Sequence, residues 1–118
     1  MICRLRNFVN FLPSSNKQNT NFSLNNENEK SFLLEKSDPA LKNIVPWDSN
    51  KAYDVRIIIK RLVDNEDYFE LMPHYAQNIS IGFGRMAGQT VGIVANNPLI
   101  SSGVLDIPSS VKAARFVR

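Results

Sequence analysis

The sequence predicts an α/β fold, and three observations carry that prediction. Ile79, Ile81 and Phe83 alternate with Ser80, Gly82 and Gly84, the period-two pattern of a half-buried strand. Val91, Ile93 and Ala95 repeat the pattern after a turn at Met86-Ala87-Gly88-Gln89, where Gly88 is free to adopt positive φ. Apolar residues at helical spacing occur on both sides of this hairpin: Val55, Ile58, Ile59 and Leu62 before it, and Val111, Ala114 and Val117 after it.

Taken in order, Ile2, Leu5, Phe8, Val9 and Leu12 fall on one face of a helix that Pro13 ends. A helix of this length is marginal alone, so its apolar face needs a partner that the next segment does not offer. That segment holds six asparagines among the fifteen residues from Asn16 to Lys30 and reads as a flexible linker. Ser37-Asp38-Pro39 starts a turn, and Ile44-Val45-Pro46-Trp47 reads as a short extended anchor with Trp47 as a packing plug. The helix from Ala52 to Val63 has Ser49 as its expected N-cap, and Lys60 and Arg61 lie near the negative end of its dipole. Asp64-Asn65-Glu66-Asp67 closes it as a solvated turn; the cluster lacks the glycine hinge and terminal bidentate glutamate of a calcium loop.

Downstream of the hairpin, Asn96 to Gly103 form a loop at a strand end, a common address for binding by backbone groups. Asp106 is placed to cap the final helix, with Pro108 in its first turn and Ser109 and Ser110 in support. Val111, Ala113, Ala114 and Val117 give that helix a small-residue face for a sheet, while Lys112, Arg115 and Arg118 read as a solubilising face.

Composition removes several function classes. Of 118 residues, 43% are hydrophobic and 21% charged, close to globular averages. The net charge of +3 comes from 14 basic and 11 acidic residues spread without a run, so the clustered basic face of a nucleic-acid binder is missing. Cys3 is the single cysteine, which rules out an intrachain disulfide and fits a reducing compartment. No apolar run reaches the ~20 residues that span a bilayer. His74 is the one histidine and has no acidic or cysteine cluster at ligand spacing, which argues against a metal site and against a Ser-His-Asp mechanism.

Several stretches in succession resemble one family. They are Lys51-Ala52-Tyr53-Asp54-Val55, Phe69-Glu70-Leu71-Met72-Pro73, Tyr75-Ala76-Gln77-Asn78-Ile79 and Gly82-Phe83-Gly84-Arg85-Met86. Gly88-Gln89-Thr90-Val91-Gly92-Ile93-Val94-Ala95-Asn96, Ser102-Gly103-Val104-Leu105-Asp106-Ile107 and the run from Ser109 to Arg118 complete the match. Together they are similar to the biotin-dependent acyl-CoA carboxyltransferases, the propionyl-CoA carboxylase β subunits among them. Ala87 departs from the asparagine usual in the family, Gly84 from alanine, and Pro108 from a polar helix-start residue.

The resemblance implies a partial crotonase-like fold of ββα units, truncated, with an N-terminal helix and a flexible linker. It divides the chain into the last helix of a first half (residues 1–13), a linker (14–43) and the opening of a second half (44–118). It also implies that the chain is an internal piece, inactive by itself, of an enzyme moving a carboxyl group from carboxybiotin to propionyl-CoA or a similar short acyl-CoA. Both carboxyl donor and acceptor react through enolate-like states held by backbone N–H groups, so no catalytic side chain is expected. The main oxyanion element is expected downstream. The residues assigned to the biotin-side loop are Asn96, Asn97, Pro98, Ser101, Ser102 and Gly103. The implied partners are a biotin carboxylase and biotin carrier and a homo-oligomeric core, with no metal, nucleic acid or membrane. The implied location is the cytoplasm in a bacterium or the mitochondrial matrix in a eukaryote. Two alternatives stand beside this reading: a non-catalytic assembly module using the hairpin edge, and a related biotin-dependent acyl-CoA decarboxylase.

Overall fold

The computed structural model describes residues 2–15, 38–48 and 50–118. The asparagine-rich segment and Ser49 lie outside the described residues. Among the described residues the helices are α1 (Ile2–Val9), α2 (Leu41–Ile44), α3 (Val55–Leu62) and α4 (Ile107–Val117). The strands β1 (Tyr68–Leu71), β2 (Ile79–Met86) and β3 (Gln89–Asn96) form one antiparallel sheet in the order β1-β2-β3.

β2 is the central strand, which changes the expected half-buried pattern. Ile79, Ser80, Ile81, Gly82 and Gly84 are all buried, so both faces of the strand are covered. The aromatic stretch at Tyr68 supplies the third strand, pairing Phe69 with Phe83 and Leu71 with Ile81. On the other side Phe83 pairs with Gly92 and Ile81 with Val94. Directly paired residues share a face of the sheet, so Phe69, Leu71, Ile79, Ile81 and Phe83 line one face. Tyr68, Glu70, Ser80, Gly82 and Gly84 line the other. β3 keeps the expected alternation, with Val91, Ile93 and Ala95 half-buried and Gly92 and Val94 exposed.

α1 and α4 cover the first face. Phe8 lies 5.6 Å from the Phe69 ring and 5.8 Å from Phe83, and buried Phe11 lies 6.1 Å from Phe69. Arg4 stacks over Phe69 at 4.9 Å, and Arg85 donates to the Asn10 carbonyl at 2.7 Å. The inward edge of α1 and the turn after it is therefore Arg4, Phe8 and Phe11, whereas Ile2, Leu5, Val9 and Leu12 of the expected stripe stay exposed. Beyond Val9 the chain tightens into i to i+3 bonds, Phe11 N–H to the Phe8 carbonyl and Leu12 N–H to Val9.

α3 covers the second face. Its N-cap is Asp54, whose carboxylate accepts the Arg56 N–H at 3.0 Å, and not Ser49. Ile59 and Val63 are buried, and Val63 sits where a Cβ on Gly84 would come within 2.5 Å of its Cγ1. That contact accounts for glycine at this position. α2 joins α3 through Asp38, which accepts the Ala40 N–H at 2.9 Å and pairs with Arg61 at 3.1 Å. Ile44 ends this short helix and is not extended, and Trp47 is fully exposed, so it plugs nothing among the described residues.

Two backbone positions fix the hairpin. Ala87 and Gly88 both have positive φ, 51° and 76°, as in the two-residue turn whose twist matches the strands. The Gly88 N–H donates to the Asp64 carboxylate at 2.8 Å, so the turn after α3 holds the hairpin tip; it is not merely a solvated acidic cluster. A Cβ on Gly82 would lie 2.3 Å from the Phe69 carbonyl oxygen. Two outcomes follow in a urea melt. Ala87→Asn, which relieves an alanine held in the left-handed region, raises stability by about 1 kcal/mol. Gly82→Ala lowers it by about 3 kcal/mol.

Candidate functional site

The loop after β3 is tied to its own backbone and, at its entry, to Asn78. The Asn97 N–H donates to the Asn78 carbonyl at 2.8 Å, its side-chain oxygen accepts the Leu99 N–H at 3.3 Å, and its own carbonyl accepts Ile100 N–H at 3.2 Å. Asn96 Nδ2 reaches across to the Gly103 carbonyl at 3.2 Å. Gly103 N–H and Val104 N–H then close on the Ile100 and Ser101 carbonyls at 2.9 and 3.0 Å. Ser101, Ser102 and Gly103 are consecutive residues at φ 48°, 53° and 71°.

The six residues assigned to this loop by resemblance thus gather in one place but divide by role. Asn97 and Gly103 are buried and Pro98 half-buried, and the two asparagine side chains are spent on the loop's own backbone. Ser101 and Ser102 project at the exposed tip. No ionisable residue occurs from Asn96 to Leu105. The chemistry on offer is neutral: backbone dipoles and hydroxyls, with no acid, base or nucleophile activated by a partner.

Asn78 bonds the loop from beneath, and Lys112 holds the segment that carries Asn78. Asn78 is 5% exposed, and its Nδ2 donates to the Val104 carbonyl at 2.7 Å and to Asp106 Oδ1 at 3.3 Å. Lys112 was expected on the solvent face of α4 and is instead 1% exposed. Its ammonium donates to the carbonyls of Tyr75, Ala76 and Ile79 at 2.7, 3.2 and 2.8 Å. The inward face of α4 is therefore Ser109, Lys112, Ala113 and Phe116, with Phe116 5.2 Å from Phe83. Of the small-residue face expected there, only Ala113 turns inward; Val111, Ala114 and Val117 are exposed. Spacing i, i+3, i+4, i+7 from Ser109 was readable, but a lysine at a core position carries no apolar signal.

The N-terminus of α4 is closed by a capping box. The Asp106 carboxylate accepts the Ser109 N–H at 2.9 Å, and Ser109 Oγ accepts the Asp106 N–H at 2.8 Å. The Ser109 hydrogen bonds, with a further one from Asn78, hold the Asp106 carboxyl below the usual carboxylate range.

A second, polar region lies between α1, α3 and β1, a cleft of 810 Å³ walled by Arg4, Asp54, Arg56, Lys60, Tyr68 and Glu70. Ser80 donates to Glu70 at 2.9 Å, so the single Ser80 proton is used and the Tyr68 hydroxyl is the donor in their 3.0 Å contact. Arg56 bridges Glu70 at 3.6 Å and Asp54 at 3.0 Å. Burial pushes the Tyr68 phenol up, opposed by its Ser80 hydrogen bond. Both carboxylates are committed to one guanidinium, so this network braces α3 against the sheet and leaves no carboxylate free for proton transfer. Among the described residues no group of three or more His, Cys, Asp or Glu could hold a metal ion.

β2, β3 and α4 make a ββα unit, as a crotonase-like fold requires, and the solved structure described below bears that class out. The carboxyl transferase domain family matches residues 1–118, and the chain belongs to that family. It is 50% identical over 117 residues to the mitochondrial propionyl-CoA carboxylase beta chain of Rattus norvegicus, covering 99% of this chain and 21% of the relative. To the methylmalonyl-CoA decarboxylase subunit alpha of Propionigenium modestum it is 39% identical, over 97% of this chain and 21% of that protein. A solved structure of transcarboxylase 12S, a hexamer with methylmalonyl-coenzyme A and methylmalonic acid bound, superimposes with a TM-score of 0.82. Its identity is 40%, over 98% of this chain and 21% of that one. The chain spans about a fifth of the length of these relatives.

The capping geometry fixes a pH dependence. Asp106 titrates lower in the folded chain than its ordinary 3.8, so its contribution is fully present above that value. It is lost as pH falls through the depressed folded value. In acid titrations followed by circular dichroism, Asp106→Asn removes that share of the acid-induced loss of stability and leaves the rest of the curve in place.

Proposed function

We propose that this chain is an internal segment of an acyl-CoA carboxyltransferase subunit, transferring a carboxyl group from carboxybiotin to propionyl-CoA or a similar short acyl-CoA. The observation that carries the reading is the family match over the whole chain at up to 50% identity, joined to a TM-score of 0.82 against a carboxyltransferase subunit. In this reading residues 1–13 end the first crotonase-like half, residues 14–43 link, and residues 44–118 open the second. The exposed apolar surface of the unit supports it: Val104 at 65%, Ile107 at 82% and Val117 at 75% exposure call for cover by further protein.

Asn96, Asn97, Pro98, Ser101, Ser102 and Gly103 then form part of the wall on the biotin side. A loop free of charge suits the neutral ureido ring of biotin, which a lysine or carboxylate would serve poorly. Bound there as carboxybiotin, the cofactor would supply the carboxyl group and, once that group has left, a ureido nitrogen able to take the acyl α proton. The chain's share of the work is to hold a rigid polar edge beside the ring, exclude water, and carry α4 into the remaining sheet. The principal oxyanion donors are assigned to backbone amides outside this segment. Partners are a biotin carboxylase and a biotin carrier, and further copies of the complete subunit. The compartment follows the relatives: the mitochondrial matrix in a eukaryote, the cytoplasm in a bacterium. Carboxylation is favoured over decarboxylation by the higher identity to the carboxylase chain, 50% against 39%.

Two measurements decide the matter. The reading frame continued past Arg118 is expected to encode a Gly-Gly-Ala-Tyr-type element, and its absence would contradict the segment reading. The chain on its own is expected to show no carboxybiotin-dependent labelling of propionyl-CoA; steady transfer by the chain alone would overturn the proposal.

A further inference from the structure

We infer that Asn78 is the positioning residue of the biotin-side loop, setting the shape of its tip by holding entry and exit together through one amide side chain and one carbonyl. The inference rests on the carboxyltransferase reading above and deepens it. At the entry, the Asn78 carbonyl accepts the Asn97 N–H at 2.8 Å. At the exit, its Nδ2 donates to the Val104 carbonyl at 2.7 Å and to Asp106 Oδ1 at 3.3 Å. One residue on the floor of the sheet thus closes the segment between Asn97 and Val104.

The tip needs such a clamp. Ser101 and Ser102 hold positive φ without being glycine, a conformation that persists only when the surroundings over-determine it. Local bonds to Ile100 and Ser101 shape the turn, but they move with the turn and do not fix its place on the sheet. Asn78 does, because it is buried and anchored from both sides. Lys112 binds the carbonyls of Ala76 and Ile79, the second residue before it and the first after it. The chemistry at the exit is specific to an amide. Both groups facing Nδ2 are acceptors, a peptide carbonyl and a carboxylate, so two N–H donors fit where a carboxylate would be repelled.

The test uses a chimera in which this chain replaces the matching segment of the transcarboxylase 12S subunit. Free biotin is the carboxyl acceptor and methylmalonyl-CoA the donor. Asn78→Asp, nearly isosteric, is expected to raise the KM for biotin by about tenfold or more while the KM for methylmalonyl-CoA stays within about twofold of the parent. A merely structural role would lower kcat through loss of folded enzyme or shift both KM values together, and either result overturns the inference, as does no change. If circular dichroism shows Asn78→Asp unfolded, Asn78→Ser takes its place. That change removes the Nδ2 bonds to Val104 and Asp106 without adding a charge and is expected to give the same split; equal shifts in both KM values again overturn the inference. An unsubstituted chimera unable to carboxylate biotin overturns the functional reading itself, and this inference with it. An active chimera indifferent to Asn78→Asp removes this inference alone.

Discussion

The ammonium of Lys112 sits inside the unit, 1% exposed, with the carbonyls of Tyr75, Ala76 and Ile79 around it. Removing an ammonium from water costs several kcal/mol, of order the penalty for any buried ion. Among the described residues nothing of opposite charge touches it. Three charge-assisted hydrogen bonds use all three of its donors and offset the cost. Burial still lowers its pKa, with Glu70 opposing and Arg56 assisting. The contact matters because it links the last helix to the segment entering the central strand. Between Leu71 and Ile79 the chain turns through Met72 and Ala76 at φ 48° and 44°, a path with few ladder bonds of its own. Lys112 supplies the acceptors' partners and fixes where β2 begins.

From that start the rest of the site is placed in sequence. β2 runs buried on both faces between β1 and β3. Asn78, one residue before it, carries the loop, and the loop leads to Asp106, which caps the helix bearing Lys112. The arrangement is a closed ring: strand entry, loop, cap, helix, strand entry. The sheet beyond Gly82 is held separately, by Val63 against Gly84 and by Asp64 on the hairpin turn.

Much of the frame was legible. The alternation in Val91–Ala95, the Ala87-Gly88 turn and the Asp106 cap all follow from local rules, and the structure has them; the half-buried alternation expected of Ile79–Phe83 gives way to burial on both faces because β2 is the central strand. The errors share a cause: they concern what covers what. Ile2 and Leu5 looked like a core face, yet Phe8, Phe11 and the guanidinium of Arg4 make the contact, because aromatic rings reach the sheet where the aliphatic stripe does not. Lys112 looked solvated because charge is read as surface, and no local pattern announces three converging carbonyls 33 to 37 residues away. Asn78 fell between a turn and a strand with no periodicity to mark it. The resemblance pointed to the loop as a candidate; it did not say what holds it.

The loop's neutrality and its exposed serine tip are what the proposed function asks of a wall that orients a ligand. The central claim is that a buried lysine governs this loop from below, and amide hydrogen exchange tests it most directly. In Lys112→Met, the Asn97 N–H and the amides of Gly103 and Val104 are expected to exchange at least about tenfold faster, the equivalent of one lost hydrogen bond. The β2–β3 ladder around Phe83 and Gly92 is expected to keep its protection. Unchanged protection in the loop, or equal loss across the whole sheet, would contradict the account.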